Sequence, residues 1–260
     1  MILHFIKYQG TGNDFILFDD RQLTFPVDEV LIKRLCDRHF GIGADGILLL
    51  RQEAGFDFRM IYYNADGSAA TFCGNGGRCI TAFAHKSGIR GKNFRFIATD
   101  GIHNSLIIND KDLEMNIELE MQDAIIYNCD SESYYLNTGT YHVVKFVSDP
   151  DQVDVLAEGR KIRYDNKYQA HGTNVNFACF DGKELYVRTY EKGVENETLS
   201  CGTGVTATAI AASLKYGGND FGVSTSGGKL YVHFNRIGNS FTQVKLTGPV
   251  RVVFNGNIEI

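Results

Sequence analysis

The tetrapeptide Cys-Gly-polar-Gly occurs twice, as CGNG at 73–76 and CGTG at 201–204, each time directly before a helix-forming run. A Gly-rich loop opening a helix gathers backbone N–H groups and the positive end of the helix dipole at one point, which favours an anion. A cysteine at that entrance lies in the same field, which favours its thiolate. The repetition constrains the fold as well as the chemistry. A chain that builds this loop and helix in each half is expected to hold two copies of one unit, with a helix central to each.

Short strand-like runs fill the remainder: ILHFIKY, DFILFD, GILLLR, DFRMIYYN, FRFIAT, SLIIN and EMNIELE, then YHVVKFV, VNFACF, LYVRTY, KLYVHFN, TQVKLTG and VRVVFN. Many alternate apolar with polar residues, and Asn-Asp, Asp-Gly and Gly-Gly turns separate them. Helical patterns are confined to Val27–His39, Asn75–Ser87, Gln152–Arg160 and Thr203–Tyr216, with Gly88 and Gly217 placed to end the second and fourth. This mixture predicts an α+β fold of two pseudo-symmetric domains, each a curved, mostly antiparallel sheet wrapped around a central helix. At 260 residues the chain has room for two such cores.

The repeat extends beyond the cysteine loops. GTGNDFILFD at Gly10–Asp19 aligns without a gap to GTNVNFACFD at Gly172–Asp181. RMIYYN precedes the first loop and RTYE the second, so that Asn64 stands nine residues before Cys73 and Glu191 ten before Cys201. Two copies of one unit are expected to face each other across a cleft, with one cysteine on each side. The helix after the second loop, rich in Ala, Thr and Gly, is expected to be buried.

Bulk properties exclude several classes. A net charge of −5 with no local Lys/Arg cluster speaks against nucleic acid as a partner. No apolar run reaches the length of a membrane span, and the opening MILHFIKYQGTGNDF is too polar for a signal peptide. A cytoplasmic protein with no membrane partner is expected. The six cysteines are too scattered for a disulfide framework, and without Cys-x-x-Cys or a zinc-type His spacing no metal is expected. Cys36, Cys79, Cys129 and Cys179 are expected to be small buried hydrophobes.

Two thiols flanking one carbon can take a proton from one face and return it to the other. Two helix N-termini aimed at the adjoining carboxylate would stabilise the charge that develops, with Gly74-Asn75 and Gly202-Thr203 supplying the backbone donors. No lysine stands out as a pyridoxal phosphate anchor, and no cofactor is expected.

KYQGTGNDF, DRHFGIGADG, NADGS followed by CGNGGRC, and YEKGVENETLSCGTG occur in an order that resembles the diaminopimelate epimerases. The likeness runs from residue 7 to the terminal GPVRVVFNGNIEI. It implies cofactor-independent epimerisation of LL-2,6-diaminopimelate to the meso form, in lysine and peptidoglycan-precursor synthesis. Cys73 and Cys201 match the acid/base pair, and Gly74, Asn75, Gly202 and Thr203 the carboxylate-binding backbone. Asn13, Asn64, Asn174 and Glu191 match positions that hold the ammonium groups and the distal carboxylate; Lys192 stands where an arginine is usual. His142 and Glu191 match residues that tune the thiols, while His39 and Asp45 are expected to serve turn geometry. The resemblance implies domains of 1–112 plus 248–260 and of 113–247, and it admits a homodimer. Three departures fall on the far end of the substrate: Thr140 for an asparagine, Lys192 for that arginine, and Glu195-Asn196 where one glycine is common. The alternative is a racemase of another amino acid, of the proline, hydroxyproline or histidine type, on the same fold.

Overall fold

The computed structural model describes residues 1–111, 113–129 and 133–260. The chain divides into two compact units, Met1–Leu119 with Gly248–Ile260, and Glu120–Thr247. The first contains β1 (Ile2–Gly10), β2 (Asn13–Asp19), α1 (Glu29–Cys36), β3 (Gly46–Arg51), β4 (Phe58–Asn64), β5 (Ala69–Ala70), α2 (Gly74–Lys86), β6 (Asn93–Ala98), β7 (Gly101–Lys111) and β8 (Glu114–Glu120). The second contains β9 (Ile125–Cys129), β10 (Ser133–Asn137), β11 (Tyr141–Phe146), α3 (Val155–Arg163), β12 (Asn174–Phe180), β13 (Glu184–Glu191), β14 (Asn196–Thr198), α4 (Gly202–Tyr216), β15 (Asp220–Thr225) and β16 (Gly228–Ile237). The last strand, β17 (Ser240–Glu259), begins in the second unit and finishes in the first.

In the first unit the strands follow one another as β1, β2, β3, β4, β6, β7 and β8, and the Gly248–Glu259 part of β17 pairs with both β8 and β1. The sheet therefore closes on itself. Only β2–β3 and β4–β6 are parallel, and each needs a crossover, supplied by α1 and α2. The continuous apolar runs of β2 and β3 follow from this arrangement, because both faces are covered. Ile16, Phe18, Ile47 and Leu49 pack with Ile32 and Leu35 of α1. On the other face Leu48 and Met60 lie against Gly76 of α2, whose residues Gly74–Ala84 are all buried.

The second unit repeats this plan. Its order is β9, β10, β11, β12, β13, β15, β16 and the Ser240–Thr247 part of β17. Met121 and Ala124, just before β9, donate to Val244 and Phe241 of β17 and close the ring. The β11–β12 and β13–β15 pairs are parallel, joined through α3 and α4. Helix α4 is buried on nearly every side, which its Ala, Thr and Gly side chains permit at close range.

Several expectations change. The first helix is shorter than Val27–His39, because Asp28 caps it and the backbone is extended again at Asp37. The third shifts from Gln152–Arg160 to Val155–Arg163, because Pro150–Gln152 forms a separate 3₁₀ turn and Asp154 is the true N-cap. The repeat is also out of step in its first part. In the strand pattern β2–α1–β3 corresponds to β11–α3–β12, so that β12 matches β3 and not β2. Likewise Cys129 is exposed and Cys179 half-buried, while Cys36 and Cys79 are buried. Cys129 ends a strand, β9, whose residues are mostly exposed.

Candidate active site

In the first unit Cys73 is the N-cap of α2, with extended backbone and no side-chain capping bond. Its Sγ instead donates to Asn13 Oδ1 at 3.5 Å. The opening turn of any helix has N–H groups with no acceptor inside the helix, and here they belong to Gly74, Asn75 and Gly76. The side chains around them are fixed by two opposite charges. Asp45 accepts from Asn13 Nδ2 at 2.7 Å, which turns Asn13 Oδ1 toward the helix. Arg78 Nη2 donates to Asn75 Oδ1 at 2.9 Å, which turns Asn75 Nδ2 toward Asn13 Oδ1 at 3.2 Å.

Arg78 is wholly buried, and it also donates to Thr11 Oγ1 at 3.3 Å. Its Nε and Nη1 have no hydrogen-bond partner among the described residues. Burial presses against its charge, while Cys79 and Cys73 favour it. Asp45 also accepts from Arg38 at 2.8 Å, and Arg38 grips Asp14 with both terminal nitrogens, at 2.8 and 3.0 Å. Asp14 completes the cluster with Lys7 at 2.8 Å. Burial alone would raise the Asp14 carboxyl, but Arg38 and Lys7 outweigh it and hold it down at about 2.

In the second unit Cys201 caps α4 in the same way and is buried; its Sγ lies 3.4 Å from Thr203 Oγ1. Thr203 Oγ1 is 3.3 Å from Thr140 Oγ1, which is 2.9 Å from His142 Nε2. His142, on β11, is fully buried. Desolvation and then the charge of Lys192 push its pKa down to about 3, so the imidazole is neutral. Asn176 Nδ2 donates to His142 Nδ1 at 3.1 Å and to the Val143 carbonyl at 3.0 Å, while Asn176 Oδ1 accepts from Thr189. Asn174 Nδ2 donates to Thr140 Oγ1 at 3.1 Å, and Asn174 Oδ1 accepts from the Lys192 backbone N–H at 2.8 Å.

Strand register relates the two sets. Phe15 is paired with Gly46 where His142 is paired with Asn174. Counting back two residues puts Asn13 level with Thr140, each beside the first turn of its helix. Asn64 and Glu191 are the last residues of β4 and β13 and also correspond. Asn64 Nδ2 donates to Ser68 Oγ at 3.1 Å, and Glu191 Oε2 accepts from Thr198 Oγ1 at 2.9 Å. Lys192 Nζ donates to the His171 carbonyl at 3.1 Å.

Of the residues singled out from sequence, Asn13, Cys73, Gly74 and Asn75 come together in one unit. His142, Asn174, Cys201, Gly202 and Thr203 come together in the other, with the Lys192 backbone bonded to Asn174. Asp45, Arg78, Thr140 and Asn176 complete these sets. Asp45 orients Asn13 as well as shaping its turn, and this follows only from a contact 32 residues away in sequence. For His39 the structure shows a turn role: its backbone N–H donates to Asp37.

Two closed sheets of this topology, each with a buried helix that opens on the same loop, belong to a fold class already seen in solved structures. The structure is similar to a PhzF-family phenazine biosynthesis protein from Bacillus anthracis, with a TM-score of 0.79 at 15% identity over 100% of each chain. It is also similar to a hydroxyproline epimerase from Agrobacterium vitis, with a TM-score of 0.74 at 13% identity over 99% and 91%. At such identities the likeness is one of fold. Sequence narrows it further. The family model for diaminopimelate epimerase matches residues 5–126 and 134–253. The diaminopimelate epimerase of Flavobacterium psychrophilum is 48% identical over 97% of this chain and 98% of its own, and that of Chlorobaculum tepidum 38% over 96% and 99%. The chain belongs to the diaminopimelate epimerase family.

Proposed function

We propose that this enzyme carries out its family's reaction, the epimerisation of LL-2,6-diaminopimelate to the meso form, with Cys73 and Cys201 as the two bases. The thiolate of one takes the α-proton, the electron pair passes into the adjoining carboxylate, and the thiol of the other returns a proton to the opposite face. Thiol and thiolate have then exchanged places. The observation that carries this is the pair of cysteines, each set as the N-cap of a buried helix. An anion placed at such a terminus is stabilised by N–H donors that need no reorganisation as charge develops.

In this proposal the Gly74-Asn75 and Gly202-Thr203 backbone holds the reacting carboxylate. Asn13, Asn64, Asn174 and Glu191 hold the ammonium groups and the distal carboxylate, with Lys192 as counter-ion to that carboxylate. His142 and Glu191 set the acidity of the thiols. Supporting the substrate assignment is the 48% identity to a diaminopimelate epimerase, against 13% to the hydroxyproline epimerase. Among the described residues no helix is long and apolar enough to cross a membrane, in keeping with a cytoplasmic setting. A homodimer is the working expectation, to be read by light scattering. The test of the chemistry is substitution. Cys73→Ala and Cys201→Ala should each keep the fold by circular dichroism and lose at least about a thousandfold in kcat, the scale of a missing general acid or base. Full turnover in either variant would refute the two-base assignment.

A further inference from the structure

We infer that Glu195 is a positioning residue for the proposed reaction: its carboxylate latches the 191–195 turn to α3 and engages Arg163, so that Lys192 is set in place with its charge left for the far carboxylate of the substrate. The inference rests on the role of Lys192 proposed above and adds what holds that residue.

The turn leaves the end of β13 and carries Lys192 at its second position. Its backbone closes on itself, with the Glu195 N–H donating to the Glu191 carbonyl at 2.8 Å. That closure puts Glu195 in the left-handed region, at φ 54°. Glycine takes this conformation freely, whereas a residue with a side chain stays there only where its surroundings fix it. What fixes Glu195 is its own carboxylate. Oε1 accepts from the Gly193 N–H at 3.0 Å, inside the turn. Oε2 accepts from the hydroxyls of Tyr164 and Tyr190, each at 3.1 Å, outside it. Tyr164 is the C-cap of α3. Tyr190 is buried, and so close to the same helix that a methyl group on Gly159 would stand 2.5 Å from its Cβ. One carboxylate thus ties the turn to a helix end and to a core tyrosine.

The same carboxylate decides how charge is shared out. Arg163 Nε lies 3.5 Å from Glu195 Oε1, the one ion pair of Arg163 among the described residues, and its guanidinium sits 5.0 Å over the Tyr164 ring. Arg163 and Lys192 meet at Gly172, where φ is 64°: a Cβ there would stand 2.7 Å from Arg163 Nη1 and 2.9 Å from Lys192 Cδ. Two cations therefore share one small space, and Glu195 serves the first. Lys192 is held by neutral groups, its backbone N–H by Asn174 Oδ1 at 2.8 Å and its Nζ by the His171 carbonyl at 3.1 Å. Among the described residues no carboxylate pairs with it, and its charge is felt at His142, in the Cys201 set.

Two departures from the family resemblance meet here, the lysine at 192 and the lengthened turn. A lysine offers one compact charge on a flexible stem, so the direction that an arginine fork gives by its shape has to come from holding the stem. Glu195-Asn196, where one glycine is common, supplies that hold, because it brings a carboxylate that glycine lacks. Without Glu195 the stem of Lys192 would be free to swing, and Arg163 would compete with it for an incoming anion.

The test uses the whole enzyme and two variants. Glu195→Gly suits the left-handed backbone and removes the carboxylate, while Glu195→Gln keeps the shape and one acceptor oxygen. In limited proteolysis by trypsin, read by mass spectrometry, cleavage after Lys192 should be at least about tenfold faster in Glu195→Gly than in wild type, because the released turn opens locally. In steady-state kinetics on LL-diaminopimelate, Glu195→Gly should raise KM about tenfold with kcat within about twofold, and Glu195→Gln should raise KM only about threefold. The KM increment of Glu195→Gly should vanish in the Lys192→Ala background, as for two residues that act through one contact. A general loosening of the fold would instead lower kcat and add to the effect of Lys192→Ala. Unchanged cleavage after Lys192, or an increment that persists in Lys192→Ala, would overturn the inference. So would a KM that falls in Glu195→Gln, since Arg163, freed of its partner, would then be the cation that takes the carboxylate. Absence of wild-type turnover, or a KM that Lys192→Ala leaves unmoved, would refute the proposed function or its use of Lys192, and the proteolysis would still decide whether the latch exists.

Discussion

His142 shows how a single residue ties stability to the state of the site. It is fully buried and neutral, held near pKa 3 by desolvation and by Lys192, whereas an unfolded histidine titrates near 6.5. Below that value the unfolded chain binds a proton that the folded chain refuses. The linked stability is therefore complete above about pH 6.5 and declines as pH falls, by about 1.4 kcal/mol per unit. Urea titrations between about pH 6 and 4 should show this slope in the wild type and a slope shallower by that amount in His142→Gln. An unchanged slope would mean that the imidazole is charged in the folded protein. Lys192 is the second residue to probe. Lysine offers a point charge where arginine would offer a fork, and Thr140 supplies no amide nearby. In steady-state kinetics on LL-diaminopimelate, Lys192→Ala should raise KM by the equivalent of about 2–3 kcal/mol and change kcat much less. An unchanged KM would remove Lys192 from the distal carboxylate. Both cysteines could be picked out from sequence because a local signal, the Gly loop before a helix, marks them. Arg78 and Asn176 could not, and Asp45 was marked only as a turn residue, since each acts by fixing an amide through contacts that only the folded chain creates.

At the scale of elements, both central helices were legible, and for one physical reason. Each begins at a cysteine followed by a glycine-containing turn, and α4 runs through residues small enough to be enclosed by a sheet. The parallel crossovers were not. GTGNDF and GTNVNF look alike because both combine a turn with the start of a buried strand. One opens the strand before a crossover helix and the other the strand after it, a distinction that local composition does not carry. The close fit of α4 makes a sharp prediction. A methyl group at Gly204 would stand 2.5 Å from Asn176 Oδ1 and 3.4 Å from His142 Cε1. Gly204→Ala should therefore cost about 1–3 kcal/mol in urea unfolding and also lower kcat, because it displaces the amide that sets the histidine tautomer. Loss of stability with kcat intact would separate α4 packing from the hydrogen bonds of His142.

For the whole molecule, the chain returns at its end to where it began: β17 leaves the second unit at Thr247 and closes the sheet of the first beside β1 and β8. The family resemblance implied this return at Gly248 and a change of unit after residue 112. In the structure β8 pairs with β7 and β17 and lies with the first unit through Leu119. Each unit contributes one cysteine at the mouth of its helix, and the central claim is that a proton leaves one face of the substrate carbon and a different one arrives at the other. Turnover of LL-diaminopimelate in heavy water, stopped early and read by mass spectrometry, tests this most directly. Two bases should give meso product carrying one solvent deuterium at the inverted α-carbon, while the remaining LL substrate stays largely unlabelled. Product that keeps its original hydrogen would contradict the account, because the same group would then have removed the proton and put it back.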